Sequence, residues 1–330
     1  MRVVVLGGGS WGTTVASLLA GRHPTILWAR DSDVADEINE QRTNSRYLGG
    51  CLLPPTLEAT ADLDKAVSQA ELLVVGVPTH GFRATLEAAR PNIHPWIPVV
   101  SLSKGLEQGS HLRMTQVIKD VLPGHPAAAL SGPNIAKEIM DGQAAASVIA
   151  TEDLAVAEAL QRVLRRGLLR IYTNDDVIGC ELGGALKNVV ALACGLAQGL
   201  SVGDNTRAAV MTRGLAELTR LGVVLGGRPS TFAGLAGMGD LVATCISPHS
   251  RNRRVGEELG AGRPLQEILA GMNMVAEGVK TSAIVEDLAV RVDIEMPVCH
   301  TVYRVVHGDI TAADAYRGLR NPARSESDPW

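Results

Sequence analysis

Six short, mainly apolar runs punctuate the first half of the chain: VVVL at 3–6, TILWA at 25–29, LLVVGV at 72–77, PVVSL at 98–102, AAAL at 127–130 and SVIA at 147–150. Their apolarity is continuous rather than alternating, which predicts strands buried on both faces, as in a parallel sheet covered by helices. Helix-like stretches separate them, the α/β doubly wound pattern. After about Thr173 the strand signals stop, and helical segments are predicted at 180–200, 206–225, 251–260, 278–292 and 297–306. The break falls in TNDDVIG, 173–179, without a low-complexity linker. Two closely packed domains are therefore expected, 1–178 and 179–330, the first a doubly wound sheet and the second helical.

Composition narrows the function classes. The chain has 330 residues, 46% hydrophobic and 20% charged, with a net charge of −4. That balance argues against a nucleic-acid footprint spread over the surface and favours small-molecule partners. The opening MRVVVLGGGS breaks into glycines after Leu6, too early for a secretory signal, and reads as a first strand. No membrane span is expected, because Lys187 and Asn188 interrupt the most apolar stretch. Cys51, Cys180, Cys194, Cys245 and Cys299 are odd in number and form no CxxC pair, so reduced thiols in a cytoplasm are expected. No clustered Cys or His spacing suggests a metal.

Gly7, Gly9 and Gly12 form GxGxxG directly after the first predicted strand and at the opening of a predicted helix. That is the context in which the motif binds a dinucleotide, with pyrophosphate at the helix N-terminus. An NAD site usually ends its second strand with an acidic residue about 20 residues on, to accept the ribose hydroxyls. Here TILWARD puts Arg30 at that point and Asp31 just beyond. Arg30 can stack on adenine or pair with a 2′-phosphate; Asp31 can serve the ribose or cap the next helix. NADP or NAD is expected as cofactor, with NADPH favoured.

Several further residues invite a chemical reading. Lys104, in SLSKGLEQG, stands at the C-terminal end of a predicted strand, the edge where doubly wound sheets bind ligands. In SGPNIAKEI, Gly132 and Pro133 make a turn, with Ala136 where a helix would begin. Lys187 lies in the middle of the apolar ELGGALKNVVALACGLAQG and is the only lysine between Lys137 and Lys280. A buried ammonium needs a partner charge, an acceptor or a ligand. Gly183, Gly184, Val190 and Ala191 share its helix face and are read as leaving a slot for a substrate or nicotinamide ring. Asp240, after a glycine-rich loop, is either a helix cap or the carboxylate that holds a catalytic lysine. Ser250, Arg251 and Asn252 at a predicted helix start suit a phosphate group.

Taken in order, GGGSWGT, VPTHGFR, SLSKGLE, SGPNIAKE, ELGGALKNVVALACG, GLAGMGDLVATC, SRNRRVG and VAEGVKT resemble the successive motifs of NAD(P)-dependent glycerol-3-phosphate dehydrogenase along nearly the whole chain. The resemblance implies an N-terminal Rossmann domain and an all-helical C-terminal domain like that of 6-phosphogluconate dehydrogenase. It implies reduction of dihydroxyacetone phosphate to sn-glycerol 3-phosphate for glycerophospholipid synthesis, in the cytoplasm, with a homodimer possible and no nucleic acid as partner. By the same resemblance, cofactor contacts fall on Ser10, Trp11, Arg30, Lys104, Ala136, Arg251, Val275 and Glu277. Substrate contacts fall on Lys104, Gly132, Asn134, Lys187, Asp240, Ser250, Arg251 and Asn252. The proton acceptor for glycerol 3-phosphate oxidation lands on Lys187.

Two positions depart from the family's pattern. Asn134 stands where Ser or Thr is usual, and Gly49 and Gly50 follow Leu48 where Pro then Gly is usual. The rival readings are another two-domain reductase with a catalytic lysine, such as a β-hydroxyacid dehydrogenase, and a non-catalytic NADPH sensor. The tail RNPARSESDPW is polar and expected to be mobile.

Overall fold

A computed structural model describes residues 1–272 and 275–319, so the C-terminal tail lies outside the described residues. The chain divides into two compact units, Met1–Glu181 and the residues from Leu182 onward.

The first unit holds an eight-stranded sheet: β1 Val3–Leu6, β2 Thr25–Trp28, β3 Leu57–Thr60, β4 Leu72–Val75, β5 Val99–Ser101, β6 Ala127–Ser131, β7 Ala145–Ala150 and β8 Leu169–Asn174. Their order is β3-β2-β1-β4-β5-β6-β7-β8. Strands β1 to β6 run parallel, which is the Rossmann order 3-2-1-4-5-6. Alternate residues of β1 enter different cores: Val3 and Val5 join one cluster with Leu27 and Val74, and Val4 and Leu6 join another with Leu73 and Phe82. Both sheet faces are thus buried, which is why the strands read as unbroken apolar runs. Each such Val or Leu contributes roughly 1.5–3 kcal/mol on leaving water.

Two features of the sheet differ from expectation. The strands β3 (LEAT) and β8 (LRIYTN) lie at the two edges and were not among the six predicted runs. And β7 pairs with β6 antiparallel, Leu130 opposite Ile149, so the sheet is mixed rather than wholly parallel.

The second unit is helical among its described residues. Its axis is the helix Val177–Gly199, which begins in the first unit and carries Lys187. Contrary to the expectation that Lys187 and Asn188 break the run, this 23-residue helix is long and apolar enough to cross a membrane, but nearly all of its most apolar part is buried inside the protein. It packs backbone to backbone on the helix Arg251–Gly260. A Cβ on Gly195 would stand 2.0 Å from the Arg253 carbonyl oxygen, and one on Gly256 would stand 2.1 Å from that of Leu192. The small residues that made ELGGALKNVVALACGLAQG look unusual are therefore what lets the two helices approach.

Candidate active site

Within the first unit, the glycine loop links β1 to the helix Ser10–Ala20. Gly7 adopts φ +116°, and a Cβ there would come within 2.8 Å of the Gly76 backbone at the end of β4. A Cβ on Gly12 would meet the Gly7 carbonyl oxygen at 2.1 Å, so only glycine lets the helix start so close to the strand. Gly9 is different: a Cβ there would meet nothing within 4 Å. Gly9 is also the N-cap and provides no side-chain cap, so no capping side chain competes for the N–H groups of Ser10 and Trp11 in the first turn. Two glycines shape the loop and the third leaves room, an arrangement that fits a dinucleotide pyrophosphate. Asn44, fully buried, braces the loop: its amide donates to the Gly8 carbonyl (2.9 Å) and to Thr13 Oγ1 (2.9 Å). Sequence reasoning missed Asn44, whose residue type is common in turns.

Beyond β2, Arg30 is exposed. Of the two sequence readings of Asp31, the structure takes the cap. Asp31 is the N-cap of the helix Ser32–Gln41, accepting from the Asp33 N–H at 3.2 Å, and its other oxygen is bound by Arg46 at 2.8 Å.

Lys104 and the turn after β6 form one cluster. Lys104 Nζ donates to the Gly132 carbonyl (2.8 Å) and to Asn134 Oδ1 (2.6 Å). Asn134 Nδ2 reaches Ser147 Oγ at 3.4 Å. Gly132 has φ +122°, and a Cβ there would press on Ser147 Cα at 3.1 Å. Asn134, where the family usually has a hydroxyl, thus binds the lysine with the oxygen of its amide. Ala136 opens the helix Ala136–Met140 and packs, with Trp11, against the same core.

In the second unit Lys187 and Asp240 are 5% and 2% exposed, and Lys187 Nζ stands 2.9 Å from Asp240 Oδ1. Asp240 is not a cap: Gly239 holds that position, and Asp240 opens the helix Asp240–Ile246 after a wide turn at Leu235–Gly239. Lys187 Nζ also donates to Thr244 Oγ1 at 2.5 Å, and that hydroxyl donates to the Asp240 carbonyl at 2.7 Å. The hydroxyl's proton is thereby turned away, leaving its lone pairs to the ammonium. Thr244 stands one helical turn after Asp240, a spacing that reasoning from charges alone did not find.

The predicted slot beside Lys187 is not open at Gly183. A Cβ there would lie 2.7 Å from the Ala236 carbonyl oxygen, and Val190 packs on Gly214. The small residue at 183 admits the backbone that carries Asp240 into position, rather than a ligand.

Next to Lys187 on the same helix, Asn188 Oδ1 accepts from Asn252 Nδ2 at 2.9 Å, and Asn252 Oδ1 accepts from the Gly278 N–H at 2.9 Å. Ser250 caps the helix Arg251–Gly260 by accepting from the Arg253 N–H (3.2 Å). Arg251 Nη1 donates to the Val275 carbonyl at 2.8 Å, two residues before Glu277 begins the helix Glu277–Arg291. Ser250, Arg251, Asn252, Val275 and Glu277 are therefore neighbours, joined to the lysine helix through Asn188, another residue that sequence reasoning passed over.

Glu181, the last residue of the first unit, is held within that unit. The buried Glu181 carboxylate accepts from Arg113 Nη1 (2.6 Å), the Thr115 N–H (2.8 Å) and Thr115 Oγ1 (2.5 Å). Burial pushes its pKa up, against the lowering effect of Arg113.

Comparison with known proteins shows the family. Residues 2–157 match the family described as NAD-dependent glycerol-3-phosphate dehydrogenase N-terminus, and residues 176–317 the corresponding C-terminus. The chain is 58% identical to glycerol-3-phosphate dehydrogenase [NAD(P)+] 2 of Sphingopyxis alaskensis, covering 97% of this chain and 96% of that protein. It is 53% identical to glycerol-3-phosphate dehydrogenase [NAD(P)+] of Mycobacterium avium, covering 96% and 94%. Among solved structures, glycerol-3-phosphate dehydrogenase of Coxiella burnetii superposes with a TM-score of 0.92 at 36% identity, covering 97% of this chain and 99% of that one. The chain belongs to the NAD-dependent glycerol-3-phosphate dehydrogenase family.

Proposed function

We propose that this protein reduces dihydroxyacetone phosphate to sn-glycerol 3-phosphate, reversibly, with NADPH or NADH as reductant. The observation that carries the reading is the buried Lys187–Asp240 pair, completed by Thr244, in a chain whose family and glycine loop fit a nicotinamide dinucleotide. When bound, the reduced nicotinamide supplies the hydride. Lys187 donates a proton to the ketone oxygen, and in the reverse direction takes it from the hydroxyl. Asp240 and Thr244 fix the ammonium in a single orientation, so little reorganisation is needed as charge develops. Lys104 adds positive charge for the developing alkoxide, with Gly132 and Asn134 holding it. Arg251, the Ser250 hydroxyl and the second N–H of the Asn252 side-chain amide bind the substrate phosphate at a helix N-terminus. Ser10, Trp11, Ala136, Val275 and Glu277 contact the cofactor, and Arg30 meets its 2′-phosphate, so NADPH is the favoured reductant.

The product feeds glycerophospholipid synthesis. A cytoplasmic site accords with five free cysteines. A homodimer accords with the exposed Met238, Val242 and Ile246, which recur every four residues. Substrate competition separates this reading from a β-hydroxyacid dehydrogenase: dihydroxyacetone phosphate should be turned over and unphosphorylated dihydroxyacetone or a 2-oxo acid should not. Faster turnover of the 2-oxo acid would refute the phosphate site.

A further inference from the structure

The segment that follows the helix Ser32–Gln41 is fastened at three points. Glu37 accepts from Thr43 Oγ1 (2.7 Å) and from the Ser45 N–H (2.6 Å). Those bonds hold its carboxyl below the ordinary glutamate value, outweighing the opposing effect of burial, which is individually the largest influence. Asn44 ties the segment to the Gly8 carbonyl and Thr13 of the glycine loop. Gly49, at φ +61°, bridges back to Asn44, in a conformation closed to the proline usual in the family. Arg46 stands between these anchors. Its guanidinium pairs with Asp31 at 2.8 Å and lies 5.6 Å from the Tyr47 ring centre.

This placement bears on cofactor choice. In the Rossmann fold the adenosine ribose is read just beyond the end of the second strand, by a carboxylate for a free 2′-hydroxyl and by arginine for a 2′-phosphate. Here the carboxylate exists, at Asp31, but one oxygen caps a helix and the other is bound by Arg46. Unmasked, Asp31 would accept the 2′-hydroxyl and repel a 2′-phosphate. Masked by Arg46, it does neither, and Arg30 next to it carries the local charge.

Building on the dinucleotide reading above, we propose that Arg46 is a second specificity-determining residue: by neutralising Asp31 it leaves the charge of Arg30 unopposed, and so sets the preference for the 2′-phosphorylated cofactor. The Glu37 and Asn44 bonds position it for this.

The test reads binding, not turnover. Dissociation constants for NADPH and NADH are measured by nicotinamide fluorescence on the full-length wild type, Arg46→Gln, Asp31→Asn and the double variant. Arg46→Gln should weaken NADPH on the order of tenfold, because the Asp31 charge is then no longer cancelled, while NADH stays within about twofold or tightens. Adding Asp31→Asn to Arg46→Gln should recover part of the lost NADPH affinity. Equal weakening of both cofactors would make Arg46 a mere loop brace and overturn the proposal. So would no weakening of either, or a double variant no better than Arg46→Gln. A wild type that binds both cofactors yet fails to reduce dihydroxyacetone phosphate would sink the proposed function and leave this inference standing.

Discussion

Replacing Asp240 by Asn leaves the Lys187 ammonium buried with Thr244 and a neutral amide as partners. The two side chains are 6% and 3% exposed and their charges meet at 2.9 Å, so the pair lies almost wholly out of water. At an effective dielectric of about 20, unit charges about 4 Å apart attract by about 4 kcal/mol, largely offset by the desolvation of both. Removing one partner forfeits the attraction and keeps the desolvation of the other, which typically costs about 3–5 kcal/mol. Asp240→Asn should therefore lose about that much stability in equilibrium urea denaturation. The double variant Lys187→Met/Asp240→Leu, which buries no charge, should be more stable than Asp240→Asn alone. Turnover of Asp240→Asn should fall sharply, with NADPH affinity changed less than about twofold, because Asp240 holds Lys187 and is not among the residues assigned to the cofactor. A stability loss under about 1 kcal/mol would show that the ammonium does not depend on Asp240, and the reasoning would fail.

Other outcomes follow from the same geometry. Lys187→Ala should lower kcat on the order of 10²–10⁴-fold, the usual worth of general acid help, in a single-turnover assay with NADPH binding retained. Gly12→Ala puts a methyl 2.1 Å from the Gly7 carbonyl oxygen; it should abolish measurable NADPH binding by fluorescence, whereas Gly9→Ala, with space on all sides, should fold normally and weaken only the cofactor. Glu217, buried, accepts from the Val298 and Cys299 N–H groups at 2.8 and 3.0 Å, and burial raises its pKa above the ordinary 4.5 despite those bonds. A raised folded-state pKa means that the protonated form is favoured on folding, so its stabilising contribution is complete below pH 4.5 and is lost as pH rises through the folded value. In urea denaturation the stability of wild type relative to Glu217→Gln should accordingly decline as pH rises above about 4.5, and a pH-independent difference would contradict this account.

How much of this was legible in the residues depended on what burial does to a sequence. Strands covered on both faces cannot carry polar side chains, so VVVL and LLVV announced themselves. The edge strands β3 and β8 each show the alternation of a half-covered strand, with Glu58, Arg170 and Tyr172 facing out, and short alternating runs resemble ordinary loop sequence. The antiparallel turn of β7 is absent from any local pattern, because pairing direction is decided by the path of the chain between 131 and 145. At the site, Lys187 was visible as a charge where none belongs, and Asp240 as its natural partner. Thr244, Asn188 and Asn44 were not, since hydroxyls and amides are common everywhere and only the fold shows which ones hold a lysine, a neighbouring helix or a glycine loop. The supposed slot at Gly183 failed for the opposite reason: small residues on a helix face accommodate backbone as readily as ligand.

The central claim is tested most directly by following loss of reduced-nicotinamide absorbance after dihydroxyacetone phosphate is added to the purified protein, with NADPH and NADH in parallel. Rapid oxidation of NADPH, slower oxidation of NADH, and recovery of sn-glycerol 3-phosphate are the predicted result. No oxidation of either cofactor, in protein that demonstrably binds NADPH, would contradict it.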